Sequence, residues 1–344
     1  MPVACAAKNL PVLLLYQVEP DWSQPDVEEA RATHLRMVAA LRQAGHPVSI
    51  AELTDSNLAD LLDRHAAEGR LLFNQCECLP GIPHSEYEAA NLIEASGLIY
   101  TGSTADTLQL AEDKARSKEL LEALKLPTPA WRVYEEPTAD DWDIFPAIVK
   151  TTHEHCSLGL NAESVVTNKR ELRARIRYIL KYFKQPALVE DFIDGREFHV
   201  PVWGNQSPAL LPVVEMDFSA FHDLHDRLCT YESKFIPDSK HYQAIESRIP
   251  APLSAAELGE MERICLDVYR AFGCRDYARL DIRLRNGVFY VLDVNPNADL
   301  DSEASIACAA EHVGISYGDL LSRLVRMAAA RHPRYAERRR GRRP

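Results

Sequence analysis

The sequence predicts an α/β protein in which an N-terminal parallel-sheet domain is followed by two α+β subdomains. Three observations carry this. Through residues 1–110, short apolar runs alternate with segments of helical period, as a parallel sheet covered on both faces requires. Further along, the dipeptides Asp194-Gly195 and Asn286-Gly287 each separate two strand-like runs and read as hairpin turns. The chain has 344 residues, too many for one ordinary small domain.

The first strand is the apolar run Pro11 to Tyr16. A helix follows over 26–44, with Val27, Ala30, Leu35, Val38 and Leu41 at helical spacing and Gly45 as its stop. Val48 to Leu53 is a second strand, Leu58 to His65 a helix, Leu71 to Asn74 a third strand and Glu86 to Ala95 a helix ended by Gly97. Leu98 to Tyr100 makes one more strand and closes a first domain at 1–110. A central subdomain, 111–205, starts with a helix over 113–124 that Pro127 and Pro129 end. Its strands are Ala147 to Lys150, Gly159 to Leu160, Ser164 to Val166, Ala187 to Ile193 and Glu197 to Trp203, with a basic helix at 169–183. The last subdomain, 206–330, holds a strand near 209–215, a polar stretch 217–248, a helix over 254–272, the hairpin Tyr277 to Arg285 with Val288 to Asn295, and helices at 303–312 and 317–330. Residues 331–344, with seven Arg and one Glu, read as a basic flexible tail.

Composition narrows the function classes. Hydrophobic content of 46% with 26% charged residues supports a buried core in a globular protein. The net charge is −12, and the basic tail hides a still more acidic body, so no nucleic-acid partner is expected. No run approaches the roughly 18 apolar residues of a membrane span, and the N-terminal apolar stretch reads as a buried strand, not a signal peptide. The eight Cys are scattered, and Cys76 and Cys78 stand too close for metal-finger spacing. A cytoplasmic location with reduced thiols is expected.

The chemistry concentrates in the last hairpin, DYARLDIRLRNGVFYVLDVNPN at 276–297. Strand alternation puts Arg279 and Asp281 on one face of its first strand and Asp293 and Asn295 on one face of its second. Two carboxylates and an amide are hard oxygen ligands suited to Mg²⁺ held together with phosphates. Taken alone, the same pattern also fits a solvated hairpin face.

Further motifs decide between these readings. GLIYTGSTADTLQLAEDKARSKELLEALKLPTP at 97–129, PAIVKTTHEHCSLGL at 146–160, LVEDFIDGREFHVPVWG at 188–204, YESKF at 231–235, RLDIRL and LDVNPN follow one another in the order found in the ATP-grasp superfamily. They resemble D-alanine–D-alanine ligases over roughly residues 70–330. The resemblance implies two later subdomains that clasp ATP. It places Lys114 and Lys150 on the phosphates, with Ser157 in the phosphate loop. Glu190, Asp191, Phe192 and Ile193 would lie along the adenine edge, and Glu197 at the ribose. Lys234 would meet the transferring phosphate and Arg279 would stabilise the oxyanion. Asp281, Asp293 and Asn295 would hold Mg²⁺ or Mn²⁺. The implied reaction activates a carboxylate as an acyl phosphate and couples it to an amine, both small molecules, in a homodimeric enzyme.

Departures bear on the substrates. The usual Gly-Gly loop after the first strand is missing, and only Glu19 stands near the family's substrate-amine carboxylate. Cys156 replaces a Ser and Phe235 a Tyr, so a hydrogen-bonded triad found in the family is unmade. Ser305 is the candidate for the second substrate's carboxylate. Asp299, Asp301 and Glu303 fit either an exposed helix start or the attraction of a cationic acceptor. His153, His155, His222 and His225 read as loop histidines. Two other readings remain: a depsipeptide or other specialised-metabolite amino-acid ligase, and a nucleotide-binding regulatory protein without ligase activity.

Overall fold

The computed structural model describes residues 9–66, 69–154, 157–230, 232–236 and 238–340. The N-terminal domain runs β1 (Val12–Gln17), α1 (Gln24–Gln43), β2 (Val48–Leu53), α2 (Leu58–Ala66), β3 (Leu71–Gln75) and α3 (Glu86–Ala95). Its strands form a parallel sheet in the order β2-β1-β3, which Tyr100 extends by a parallel bridge to Leu72. Strand β1 is buried along its whole length because both faces are covered. Val12, Leu14 and Tyr16 belong to one core cluster; Leu13 and Leu15 belong to another with Leu58, Leu62, Ala89 and Ile93 of α2 and α3.

Two helices lead out of this domain, α4 (Ala105–Glu112) and α5 (Lys114–Ala123). The sequence suggests only the second. Asp113 separates them in extended conformation and caps α5, accepting from the amides of Ala115 at 3.0 Å and Arg116 at 3.1 Å.

The second sheet contains β4 (Trp131–Tyr134), β5 (Ala147–Thr151), β6 (Val165–Val166) and β7 (Ala187–Asp191), in the order β4-β7-β5-β6, with α6 (Lys169–Tyr182) across one face. Ala147, Val149, Ala187 and Val189 pack under Leu172, Ile176 and Ile179 of that helix. Strand alternation therefore turns Ile148, Lys150 and Glu190 to the other face. Gly159–Leu160 is not a strand but a turn, closed by the Leu160 amide on the Ser157 carbonyl at 2.9 Å.

The third sheet is built from β8 (Arg196–Trp203), β9 (Ala209–Leu210), β10 (Val214–Asp217), then, after the short helices α7 (Glu232–Phe235) and α8 (Lys240–Ala244), β11 (Glu246–Arg248). Beyond α9 (Ala255–Ala271) come β12 (Tyr277–Arg285) and β13 (Val288–Asn295). The order is β11-β10-β8-β12-β13, with β9 against β8. Phe198, Val200, Val202, Leu280 and Ile282 face α9, where Met261, Ile264, Cys265 and Val268 cover them. The alternate residues Glu197, His199, Arg279, Asp281 and Arg283 thus share the opposite face.

The Asn286-Gly287 turn joins β12 to β13 as expected. Asp194-Gly195 does not make a hairpin, because β7 and β8 belong to different sheets. Gly195 serves another purpose: a Cβ there would lie 2.0 Å from the Leu284 carbonyl oxygen. The glycine permits a close backbone crossing, and the boundary between the two sheets falls at this dipeptide, ahead of β8.

Helices α10 (Ser305–His312), α11 (Tyr317–Ala329) and α12 (Pro333–Arg340) return the chain to the first domain. Residues expected in a flexible tail are instead docked. Arg331 donates to both carboxylate oxygens of Asp276, at 2.6 and 2.7 Å, and to the Tyr100 carbonyl, while the Tyr335 hydroxyl donates to the Gly69 carbonyl. Asp276 is fully buried and also accepts from the Gly102 amide and Asn205 Nδ2. A carboxylate without solvent requires such partners, and here they come from the end of the first domain, the loop after β8 and the C-terminal segment. No helix among the described residues is long and apolar enough to cross a membrane.

Candidate active site

The second and third sheets are linked by Lys118, which reaches the Leu292 carbonyl, by Arg283, which reaches the Ile193 carbonyl, and by Arg285, which pairs with Asp191. On the second sheet, Glu190 Oε2 lies 2.6 Å from Lys150 Nζ and Glu190 Oε1 lies 2.5 Å from Lys118 Nζ. The Glu190 side chain is 1% exposed. Burial alone would raise its pKa, but the two ammonium groups outweigh it and hold the carboxylate down at about 2. Burial also acts against the Lys150 charge, and there Glu190 and Asp293 win, keeping that ammonium above the ordinary lysine value. For Lys118 burial wins and the direction is downward.

Lys118 ties the sheets together. Its Nζ also donates to Thr128 Oγ1 at 2.8 Å and to the carbonyls of Leu292 at 3.1 Å and Val291 at 3.3 Å on β13. The sequence reading missed this residue. Its signal was the second lysine of DKARSK, one helical turn beyond Lys114 and so on the same helix face. Lys114 itself is buried at the start of α5 and donates to the Glu154 carbonyl at the edge of the phosphate-loop segment.

The loop after β5 turns through Ser157 and Gly159, both in left-handed conformation. A Cβ on Gly159 would meet the Phe183 ring at 2.6 Å, and buried Arg175 grips the Gly159 carbonyl at 2.5 Å. The loop is therefore set by its glycine and by α6. His155 and Cys156 lie outside the described residues.

At the hinge, the Asp191 amide bonds to the Ala130 carbonyl and the Phe192 amide to the Pro146 carbonyl, both within sheet-like pairing. The Ile193 carbonyl accepts from Arg283 Nη1 at 2.9 Å. Ile193 is 1% exposed, and its amide has no acceptor among the described residues. A buried unpaired N–H is costly and marks a place for a ligand acceptor.

On the third sheet, Cα pairing sets Asp281 opposite both Asp293 and His199, Arg279 opposite Asn295, and Arg283 opposite Glu197. Arg279 grips Asp281 through Nε at 2.7 Å and Nη2 at 2.9 Å, and Asn295 Nδ2 donates to Asp281 at 3.2 Å. Arg279 Nη1 has no acceptor, and the Asn295 amide oxygen no donor, among the described residues. Glu197 Oε2 accepts from Arg283 Nε at 2.6 Å. Burial opposes the Glu197 charge, but Arg283 and His199 prevail and lower its pKa. Arg283 is a second missed residue, although it continues the alternation of Arg279 and Asp281.

Of the remaining candidates, Ser305 adjoins this group and Glu19 lies in the first domain. Glu19 accepts from Cys78 Sγ at 2.8 Å and the Gly81 amide at 2.9 Å, so its contacts are with a neighbouring loop of the first domain. Ser305 Oγ is 3.0 Å from His199 Nδ1. Asp301 is engaged by Arg36 at 3.2 Å and by the Glu303 amide, which fits the helix-start reading for that acid. The side chains of Lys234 and Phe235 in α7 lie outside the described residues. The polar stretch before them is folded: Leu228 packs with Ile148, Val165 and Phe192, and Arg227 pairs with Asp194. A narrow recess between the first domain and the hairpin is lined by Asn74, Glu77, Glu86, Tyr277, Asn297 and Asp299.

Residues 126–326 match the family described as D-ala D-ala ligase C-terminus. The chain belongs to the D-alanine–D-alanine ligase family. It is accordingly an ATP-dependent ligase that forms C–N bonds. Among its relatives, an uncharacterized protein, y4sG, of Sinorhizobium fredii (strain NBRC 101917 / NGR234) is 33% identical over 307 residues, covering 87% of each chain. A D-alanine–D-alanine ligase of Marinomonas sp. (strain MWYL1) is 31% identical over 295 residues, covering 84% of this chain and 87% of its own. The fold is similar to that of the D-alanine–D-alanine ligase of Bacillus anthracis solved with ATP, with a TM-score of 0.71 at 19% identity, covering 96% of this chain and 99% of that one.

Proposed function

We propose that ATP lies between the second and third sheets and that this chain's residues activate an amino-acid-type carboxylate for attack by an amine. The observation that carries the assignment is the pairing of two opposed faces: the cations Lys150 and Lys118 on one, and Asp281, Asp293 and Asn295 on the other, with Lys150 close enough to feel Asp293. Lys114 and Lys150 are assigned to the phosphates, as is Lys234 by the family resemblance alone, and Ser157 and Gly159 would bring loop amides to their oxygens. The open Ile193 amide reads the adenine edge within the segment Glu190 to Ile193, and Glu197 accepts from the ribose hydroxyls. Asp281, Asp293 and Asn295 would hold Mg²⁺ or Mn²⁺, a donor set of oxygens that suits either ion. When bound, the metal neutralises charge on the phosphoryl group in transit.

The chain's own residues then act in sequence. The donor carboxylate attacks the γ-phosphorus in line and ADP departs. The amine nitrogen attacks the resulting acyl carbon, and phosphate leaves. Asp281 fixes the guanidinium of Arg279 through Nε and Nη2, so that Nη1 is aimed at the oxyanion before reaction begins. The folded segment around Leu228 keeps water from the acyl phosphate.

Glu19 and Ser305 are the proposed substrate contacts, Glu19 for the donor's amine and Ser305 for the acceptor's carboxylate. Asp299, Asp301 and Glu303, just ahead of Ser305 in the chain, favour a cationic or amine-rich acceptor over an acidic one. The enzyme is proposed to be cytoplasmic and homodimeric, on family resemblance. The test is ADP release with a panel of amino acids and amines, read with mass spectrometry of the products. ATP-dependent formation of an amide or peptide bond supports the reading; tight ATP binding with no product from any pair would favour a regulatory nucleotide-binding protein.

A further inference from the structure

Beside the oxygen ligands of the hairpin lies a donor set of different chemistry. Glu197, His199 and Cys229 each offer one ligand atom, and all three atoms lie within 4.8 Å of one another. Glu197 and His199 stand two residues apart on β8 and project from one face, while Cys229 reaches them from the segment before α7. Its neighbours Leu228 and Thr230 are both buried, which fixes the backbone on either side of the thiol.

The outer atoms of two of these groups are already held. His199 Nδ1 is 3.0 Å from Ser305 Oγ, and in the tautomer that donates Nδ1–H to that hydroxyl the Nε2 lone pair faces the cluster. Glu197 Oε2 is bound by Arg283, which leaves Oε1 turned to His199 Nε2 at 3.9 Å. Ligand orientation by such outer hydrogen bonds is the usual companion of metal-binding histidines and carboxylates.

We propose that Glu197, His199 and Cys229 form a site for a zinc-class divalent cation, separate from the magnesium positions, and that its occupancy excludes ATP. Thiolate, imidazole and carboxylate together select a borderline-soft ion over Mg²⁺. Ligand bonds of about 2.0–2.3 Å put tetrahedral partners roughly 3–4 Å apart, so the set needs to close by no more than about an ångström or two. Three protein ligands leave a fourth position for water. Binding displaces the thiol proton of Cys229 to solvent. Exclusion of ATP rests on the proposed nucleotide site, because the cation takes the carboxylate assigned there to the ribose.

Two arms test this on the full chain. In the first, Co²⁺ is titrated without nucleotide. One equivalent should bind with a thiolate-to-cobalt charge-transfer band, displaced by Zn²⁺ and lost in both Cys229→Ser and His199→Asn. Absence of the band, or its survival in both variants, overturns the site. In the second arm, Zn²⁺ at saturation should weaken ATP binding at least tenfold in the wild type and much less in Cys229→Ser, which controls for chelation of zinc by ATP itself. Equal weakening in both proteins overturns the exclusion. Failure of the wild type to bind ATP at all counts against the nucleotide site and leaves the cobalt result to decide the metal site.

Discussion

Lys150 and Glu190 form a 2.6 Å ion pair across adjacent strands, with the carboxylate almost without solvent. Removing one partner of such a pair leaves an uncompensated buried charge and typically costs about 3–5 kcal/mol. Glu190→Gln should therefore lower the thermal midpoint by several degrees. It should also raise the KM for ATP, since Lys150 loses the anchor that positions it. An unchanged melt with normal ATP kinetics would remove Glu190 from both roles.

The same residue sets an acid limit. Its carboxylate is held at about 2 in the fold, below the ordinary value of 4.5. A depressed carboxylate contributes stability that is present above the unfolded value and lost as pH falls through the folded one. Wild-type stability should thus decline between about pH 5 and 2, with Glu190 supplying a few kcal/mol of the loss. In Glu190→Gln that part of the slope should be absent in chemical denaturation series.

Lys118 and Lys150 should separate by readout. Lys118→Ala strips four oxygen partners of their donor and should destabilise by about 3–5 kcal/mol. Lys150→Ala leaves Glu190 paired with Lys118, so it should destabilise less than Lys118→Ala and cost more turnover. Circular-dichroism melts beside single-turnover ATP hydrolysis make the comparison, and a reversed order would exchange the two assignments.

The hairpin assignments are tested by Asp293→Asn, Asn295→Ala and Arg279→Lys. Each should reduce turnover by about 10²–10³ while the melting temperature stays near that of the wild type. For Arg279→Lys the reason is geometric: an ammonium cannot grip Asp281 twice and still present a fixed donor. Full activity in the Asp293 or Asn295 variant would withdraw the metal assignment.

Selectivity should depart from that of relatives named for D-alanine. The family resemblance puts Cys156 and Phe235 where a Ser and a Tyr would complete a hydrogen-bonded triad, and Asp299, Asp301 and Glu303 follow the hairpin. D-alanyl-D-alanine synthesis should fall below about 10⁴ M⁻¹s⁻¹ in kcat/KM, the low end for ordinary enzymes. A higher value would refute the selectivity argument.

Much of the site was readable before the structure because strand alternation is a local property. Arg279, Asp281, Asp293 and Asn295 share a face by period alone, and the register puts them side by side. Lys118 and Cys229 were not readable in the same way. Their partners Glu190 and His199 lie 72 and 30 residues away in sequence, and only the packing of α5 against the second sheet and of the segment before α7 against β8 brings them together. Asp194-Gly195 misled for a related reason: its dipeptide signals a tight turn, whereas the requirement at Gly195 is imposed by Leu284, far along the chain. The basic composition after Arg331 likewise suggested solvation, because the buried acid that receives Arg331 has no mark of burial in its own sequence.

The Asp276 latch has a consequence for biosynthesis. Gly102 and Asn205 leave the ribosome before Asp276 does, but Arg331 follows it by 55 residues. Until then the carboxylate has no countercharge, and burying it against the first domain is unfavourable. The nascent chain can form its separate sheets early, as domains generally do during synthesis. Joining the first domain to the third sheet is therefore favoured late, once Arg331 has been made and can supply the countercharge under which Asp276 is buried.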